Sequence, residues 1–191
     1  MKTPLRYQIT EFDCGSVSLV NCITYLFERE HIPAELIKAI NTYTLDCYDE
    51  HGNLGQKGTS REAVKFLTRW ICDFARTKDL HLRCEYLDGK SVTLKKIEDC
   101  VKAGGCVNLR TYQEVEHYVT VTNDDDKFVY LFDPYFNPAS EYENNPHKTA
   151  DFDHPTQYNR IVDKKYFDST KEDEFCLGPI AKGEIVLLTT Y

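Results

Sequence analysis

Several things are missing from this chain of 191 residues, and each absence removes a class of function. Its eight cysteines, at 14, 22, 47, 72, 84, 100, 106 and 176, form no CxxC pair. A zinc site wants closely spaced ligand pairs, so no structural zinc is indicated. No run of about 18 or more apolar residues is present to span a membrane. The opening stretch MKTPLRYQITEFDCG lacks the apolar core of a secretory signal. The cysteines therefore read as reduced thiols rather than a disulfide framework, and the chain as cytoplasmic. Lys and Arg nowhere cluster as phosphate tracking requires, which argues against nucleic acid as a partner. Internal repeats and low-complexity tracts are also absent.

What remains is a globular composition. Hydrophobic residues make up 41% and charged residues 28%, which fits one well-buried core or two small lobes. Acidic residues outnumber basic ones 31 to 23, a net charge of −8 that favours solubility. The aromatic share of 13%, mostly Tyr and Phe, suits a peptide groove as well as a lobe boundary.

The first half has helical period. Residues 14–29 place Leu19, Cys22, Ile23 and Leu26 on one face, with Asp13 as N-cap. A second helix is expected from Pro33, carrying Leu36, Ile37 and Ile40. The glycine-rich stretch 46–58 breaks the pattern as a loop. A third helix opens on a capping box, Thr59-x-x-Glu62, and runs through Val64, Leu67, Ile71 and Phe74.

The second half changes period. Alternation at Leu80, Leu82, Cys84 and Tyr86 predicts a strand, and a helix over 93–103 stops at Gly104-Gly105. Strands are expected at 106–112, 117–122, 127–132 and 184–190, with NDDD turning the middle pair into a hairpin. Between Asp133 and Gly183 lies a polar and aromatic segment with Arg160-Ile161-Val162 as its one strand signal. The fold class that follows is α+β, a single domain over 1–191 with a helical part of about 1–78 and a β-rich part of about 79–191.

One cysteine stands apart. Asp-Cys occurs at 13–14, 46–47 and 99–100, but only Cys14 has a glutamine six positions before it, a glycine after it and a helix start beneath it. An ordinary thiol, with a pKa near ~8.5, is only a few per cent thiolate at neutral pH. A helix N-terminus with its unpaired N–H groups and partial positive charge corrects this, as does an adjacent imidazolium. Gln8 supplies an amide donor for the oxyanion formed when a thiolate attacks a carbonyl. Gly15 is read as clearing the approach of that carbonyl. His117 opens one strand of the hairpin and Asp133 follows the other, so both fall at one end of it. The carboxylate can then orient the imidazole.

Taken in order, Gln8-x5-Cys14-Gly15, the G-T-S-R helix start at Gly58, the L-x-x-I-x-x-x-V-x-x-G-G helix, HYVTV at 117–121 and VYLFDPY at 129–135 resemble the C39-like cysteine peptidases of the papain-like superfamily. The resemblance spans roughly residues 5–136. It implies a papain-like fold, a helical lobe packed on an antiparallel sheet. It also implies Cys14 as nucleophile, His117 as general base and acid, Asp133 as orienter and Gln8 in the oxyanion hole. Characterised members cut leader peptides after small residues, often a double glycine, and many belong to export transporters. No transporter segment is present in these 191 residues, and the 134–183 segment is longer than the usual family tail.

Thiol peptidase activity on a peptide or protein, without cofactor or metal, is the function expected. Two others compete: an acyltransferase or transpeptidase that passes the acyl group to another nucleophile, and a peptide-binding module without turnover. Cys22, Cys72 and Cys100 fall within helices and read as core. His147, Asp151, Asp153 and His154 are ligand types without a recognised metal spacing. Tyr135 and Phe136 are read as cleft-lining or as buried between lobes.

Overall fold

The computed structural model describes residues 1–191. Helix α1, Cys14–Leu26, is buried over most of its surface: ten of its residues are inside, among them Leu19, Cys22 and Ile23. It stops at Leu26 rather than at residue 29, because Phe27 turns extended and Arg29–His31 forms a single 3-10 turn. Asp13 holds the N-cap position without capping by its side chain. Its carboxylate turns back instead, accepting from the backbone N–H groups of Ile9 and Thr10 and from the Thr10 hydroxyl. The first-turn N–H groups of α1 are thus left without a side-chain cap.

Helix α2, Ala34–Tyr43, follows Pro33 as expected and buries Leu36 and Ile40. Helix α3 spans Arg61–Thr77, one register later than the capping box implied. Ser60, not Thr59, is its N-cap and accepts from Ala63 N at 3.0 Å. Thr59 is engaged elsewhere, accepting from Leu45 N at 3.1 Å. In Thr-Ser sequences either hydroxyl can cap, and here tertiary contact decides.

The remaining elements are β1 (Leu82–Asp88), α4 (Leu94–Lys102), β2 (Cys106–Gln113), β3 (Val115–Asp124), β4 (Phe128–Phe132), β5 (Lys148–Ala150), β6 (Arg160–Asp163), α5 (Lys164–Phe167) and β7 (Glu184–Thr190). All strands join one antiparallel sheet in the order β1-β7-β2-β3-β4-β6-β5. Thr93 caps α4, and Gly104 ends it with φ +79°, the left-handed stop expected.

Alternation along the strands divides the interior into two layers. Cys106, Tyr118, Val186 and Leu188 face α1, α2 and α3. Their neighbours Val107, Val119 and Ile185 face the other way, against Ile97 and Val101 of α4. The 134–183 segment completes that second layer. It contributes β5, β6 and α5, and it drives Phe167 and Phe175 fully inside. Burying each such ring is worth about 1.5–3 kcal/mol, enough to fix the segment on the sheet. What reads as a long polar tail is a structural wall.

The chain's beginning is tied down too. Leu5 N donates to Pro155 O at 2.7 Å and Gln8 N to Pro134 O at 2.8 Å. Asn21 of α1 clamps the Arg6 backbone, accepting from its N–H at 2.8 Å and donating to its carbonyl at 2.9 Å. Residues 5–8 therefore run between α1 and the end of β4, carrying Gln8 toward Asp133.

Candidate active site

Cys14 begins α1 and lies 9% exposed. Gly15 sits against the sheet. A Cβ placed there would lie 2.8 Å from Thr59 Cβ and 3.3 Å from the Tyr118 ring. The missing side chain is therefore needed for close packing of α1, not for clearing a carbonyl's approach as the sequence suggested. That packing brings Cys14 beside His117 on β3.

His117 is 5% exposed, and its Nε2 lies 2.7 Å from Asp133 Oδ1. The β3–β4 hairpin produces this contact: Thr120 pairs with Phe132 at the end of β4, β3 runs on past it to carry His117, and Asp133 follows β4 at the same end. With Nε2 taken, Nδ1 is the ring nitrogen left for the thiol. Burial pushes the Cys14 thiol up, but His117 and the backbone N–H groups of Tyr118 and Gly15 outweigh it and bring it below its ordinary value. Burial likewise disfavours the imidazolium, yet the charge and hydrogen bond of Asp133, reinforced by Cys14, raise His117 to about 10. Both shifts favour a thiolate–imidazolium pair at neutral pH.

Asp133 is fully buried. Its Oδ1 also accepts from Tyr135 N at 2.9 Å. Asn159 grips its backbone at both ends, donating to Asp133 O at 2.8 Å and accepting from Asp133 N at 2.7 Å. Behind the carboxylate stands Arg160, itself fully buried, with Nη2 3.8 Å from Asp133 Oδ2.

Gln8 arrives at the same corner through its bond to Pro134. Its side-chain Nε2 donates to Thr10 O at 2.7 Å, which leaves the second N–H of that amide free, while Oε1 is buried without a partner. The structure thus brings Cys14 beside His117 and bonds His117 to Asp133, while Gln8 is tied to Pro134 with its amide half engaged.

A cleft of about 740 Å³ opens beside His117 and Tyr135, with walls formed by Glu11, Glu114, Glu141, Glu172, Asp173 and Glu174. Lys148 is the cation among them, paired with Glu174 at 2.7 Å. Tyr135 faces this cleft, its hydroxyl 3.4 Å from Glu11, whereas Phe136 lies outside, 58% exposed against Tyr7 and Phe152. Another depression of about 770 Å³ lies at the β1 edge around Cys72, Cys84 and Arg83 and holds none of the four residues above. His147 stacks on Tyr166, and His154 lies 3.7 Å from Asp151.

No family model matches the chain, and no curated protein matches it either. Among solved structures, it resembles a protein from Bacillus anthracis described as a "putative C39-like peptidase". The alignment covers 96% of this chain and 92% of that one, with a TM-score of 0.52 and 15% identity. The fold is shared. At this identity the likeness speaks for architecture, helices packed on an antiparallel sheet, and the chemistry must be argued from the residues.

Sequence reasoning missed Asn159 and Arg160. Arg160 carried a signal: in the strand Arg160-Ile161-Val162 it shares a face with Val162, so burial of one implies burial of the other. Asn159 carried none, because a lone Asn before a strand is an ordinary turn residue.

Proposed function

We propose that this chain is a cysteine peptidase acting through an acyl-enzyme. The contact chain Cys14–His117–Asp133 at a helix N-terminus carries that reading. The Cys14 thiolate attacks a peptide carbonyl carbon, and the charge that develops on oxygen is met by the free N–H of Gln8 and the backbone N–H of Cys14. His117 gives its proton to the leaving amine as the C–N bond breaks, which leaves a thioester on Cys14. Water then attacks, His117 takes its proton, and the acid departs. Asp133 holds the ring throughout. Neither metal nor cofactor enters these steps, and a leader or other peptide is the substrate class proposed.

Thiol labelling tests the reading. Cys72 is a confounding thiol, since the adjacent Cys84 brings it down to about 6. Labelling by iodoacetamide near pH 6, mapped by mass spectrometry, is therefore run with His117→Ala beside the wild type. Cys14 is expected to lose at least about tenfold in rate in H117A, while Cys72 is unchanged. Equal Cys14 rates in both proteins would refute the proposal.

The acidic cleft is lined by His117 but not by Cys14, and its carboxylates favour peptides that place cationic side chains on the His117 side of the site. Glu114→Gln combined with Glu141→Gln is expected to lower kcat/KM for a Lys-bearing peptide several-fold while sparing a neutral one. That difference should shrink in ~1 M salt, where the screening length is about 3 Å. Equal effects on both peptides would remove the cleft from substrate selection.

A further inference from the structure

Arg160 is the largest side chain that is fully buried, and the acyl-transfer steps make no use of it. An ionised group taken wholly out of water carries a large desolvation cost, so its surroundings must hold it firmly. Nη1 donates to Asn159 O at 2.9 Å and Nη2 to Asn137 O at 3.3 Å. The guanidinium lies over the Tyr142 ring at 4.7 Å and near that of Phe152 at 5.6 Å. Its Nε has no partner. On the other side, Asp133 Oδ2 has no hydrogen-bond partner and faces Nη2 at 3.8 Å. The carboxylate is thus divided. One oxygen serves His117 and Tyr135, and the other looks only at a fixed cation.

Resting on the peptidase reading, we infer that Arg160 is the positioning residue of this site, anchored on the carbonyls of Asn137 and Asn159 so that its charge fixes Asp133 Oδ2 and aims Oδ1 at His117. Two effects follow. The cation holds Oδ2 in place, 3.8 Å away, so that Oδ1 stays on His117. It also offsets part of the carboxylate's pull on the imidazolium, so His117 stays able to release its proton during turnover. Without Arg160 the carboxylate would hold that proton harder.

The other groups around His117 are accounted for. Cys14 faces it from α1 and Asp133 from the end of β4. Tyr118, its neighbour on β3, donates to Glu184 at 3.1 Å on the opposite layer. Tyr135 and Glu11 lie toward the cleft, and the Tyr142 hydroxyl is bonded to Glu174, which pairs with Lys148. Arg160 is the cation that stands directly against Asp133.

The test reads the rate of Cys14 alkylation by iodoacetamide from pH 4 to 11 in the wild type, Arg160→Met and Arg160→Lys. The wild type is expected to show an acid limb, where the thiolate forms, and a basic limb, where His117 loses its proton. Removing a positive charge stabilises the imidazolium, so R160M moves the basic limb upward by about one unit or more, to the end of the scan or past it. An ammonium cannot span both carbonyls as the guanidinium fork does, so R160K shifts it by less in the same direction. Near-UV circular dichroism identifies which variant keeps the native packing. Wild-type limbs in either natively packed variant overturn the assignment. A single ordinary-thiol limb in the wild type instead overturns the peptidase reading itself, and this assignment falls with it.

Discussion

Replacing Cys14 by alanine is expected to lower peptide hydrolysis by at least about 10³-fold and to leave the fold in place. The size of the loss follows from the role: without the sulfur there is no acyl-enzyme, and the remaining groups offer only binding and oxyanion stabilisation. The fold should survive because the change removes one small, nearly buried atom, a loss of about 1 kcal/mol in stability. The assay uses a peptide mixture that includes Lys-bearing members, with products read by mass spectrometry and stability by urea titration. Two outcomes count against the reading. Hydrolysis retained in C14A would place the nucleophile elsewhere, and a collapse of stability would show that Cys14 is held for packing.

Asp133→Asn is expected to have the second largest effect, because it strikes rate and stability together. The amide keeps the shape but not the charge. His117 loses the carboxylate that, with its hydrogen bond, lifts it to about 10, and its proton affinity falls. Turnover is then expected to drop by about 10²–10⁴-fold, the scale seen when a triad carboxylate is neutralised. Arg160 loses its counter-charge in a site that is fully buried on both sides. Breaking a buried pair from one side costs about 3–5 kcal/mol.

The pH dependence has a definite sign. His117 has its folded pKa raised, so its contribution to stability is complete below about 6.5 and lost as pH rises through about 10. Cys14 has its folded pKa lowered, so its contribution is present above the ordinary thiol value and lost as pH falls through the folded one. The two protons belong to a coupled pair. In D133N the alkaline loss of stability should begin at lower pH, which denaturation curves at pH 7 and pH 9 would reveal. Identical pH dependence in D133N and wild type would mean that Asp133 does not govern the imidazole.

Periodicity made most of the scaffold legible. The closing strand occupies Glu184–Thr190 as its pattern implied, and Gly104 ends α4 as a left-handed residue. His117 and Asp133 were readable as neighbours because a hairpin register follows from local turn chemistry. Other features depend on distant partners. Thr59 is drawn from its capping role by Leu45, and Gly15 is required by Thr59 and Tyr118 across the helix–sheet contact. The 134–183 segment gave little signal because its aromatic residues are irregularly spaced. They pack as separate anchors on the sheet rather than as one periodic face, and nothing local announces where each will land. Asn159 was hidden in the same way, whereas Arg160 showed only through the face it shares with Val162.

Strand β7 lies between β1 and β2, so β1 reaches the rest of the sheet only through residues 184–190. During synthesis these residues emerge long after Cys14, and β1 must wait for them before it can dock. Long-range pairing of this kind is slow to nucleate. His117, Asp133 and Arg160 likewise leave the ribosome well after Cys14. A nascent chain therefore carries Cys14 as an ordinary thiol, exposed but weakly reactive. On the proposed reading, the reactivity of Cys14 would switch on only with the finished sheet.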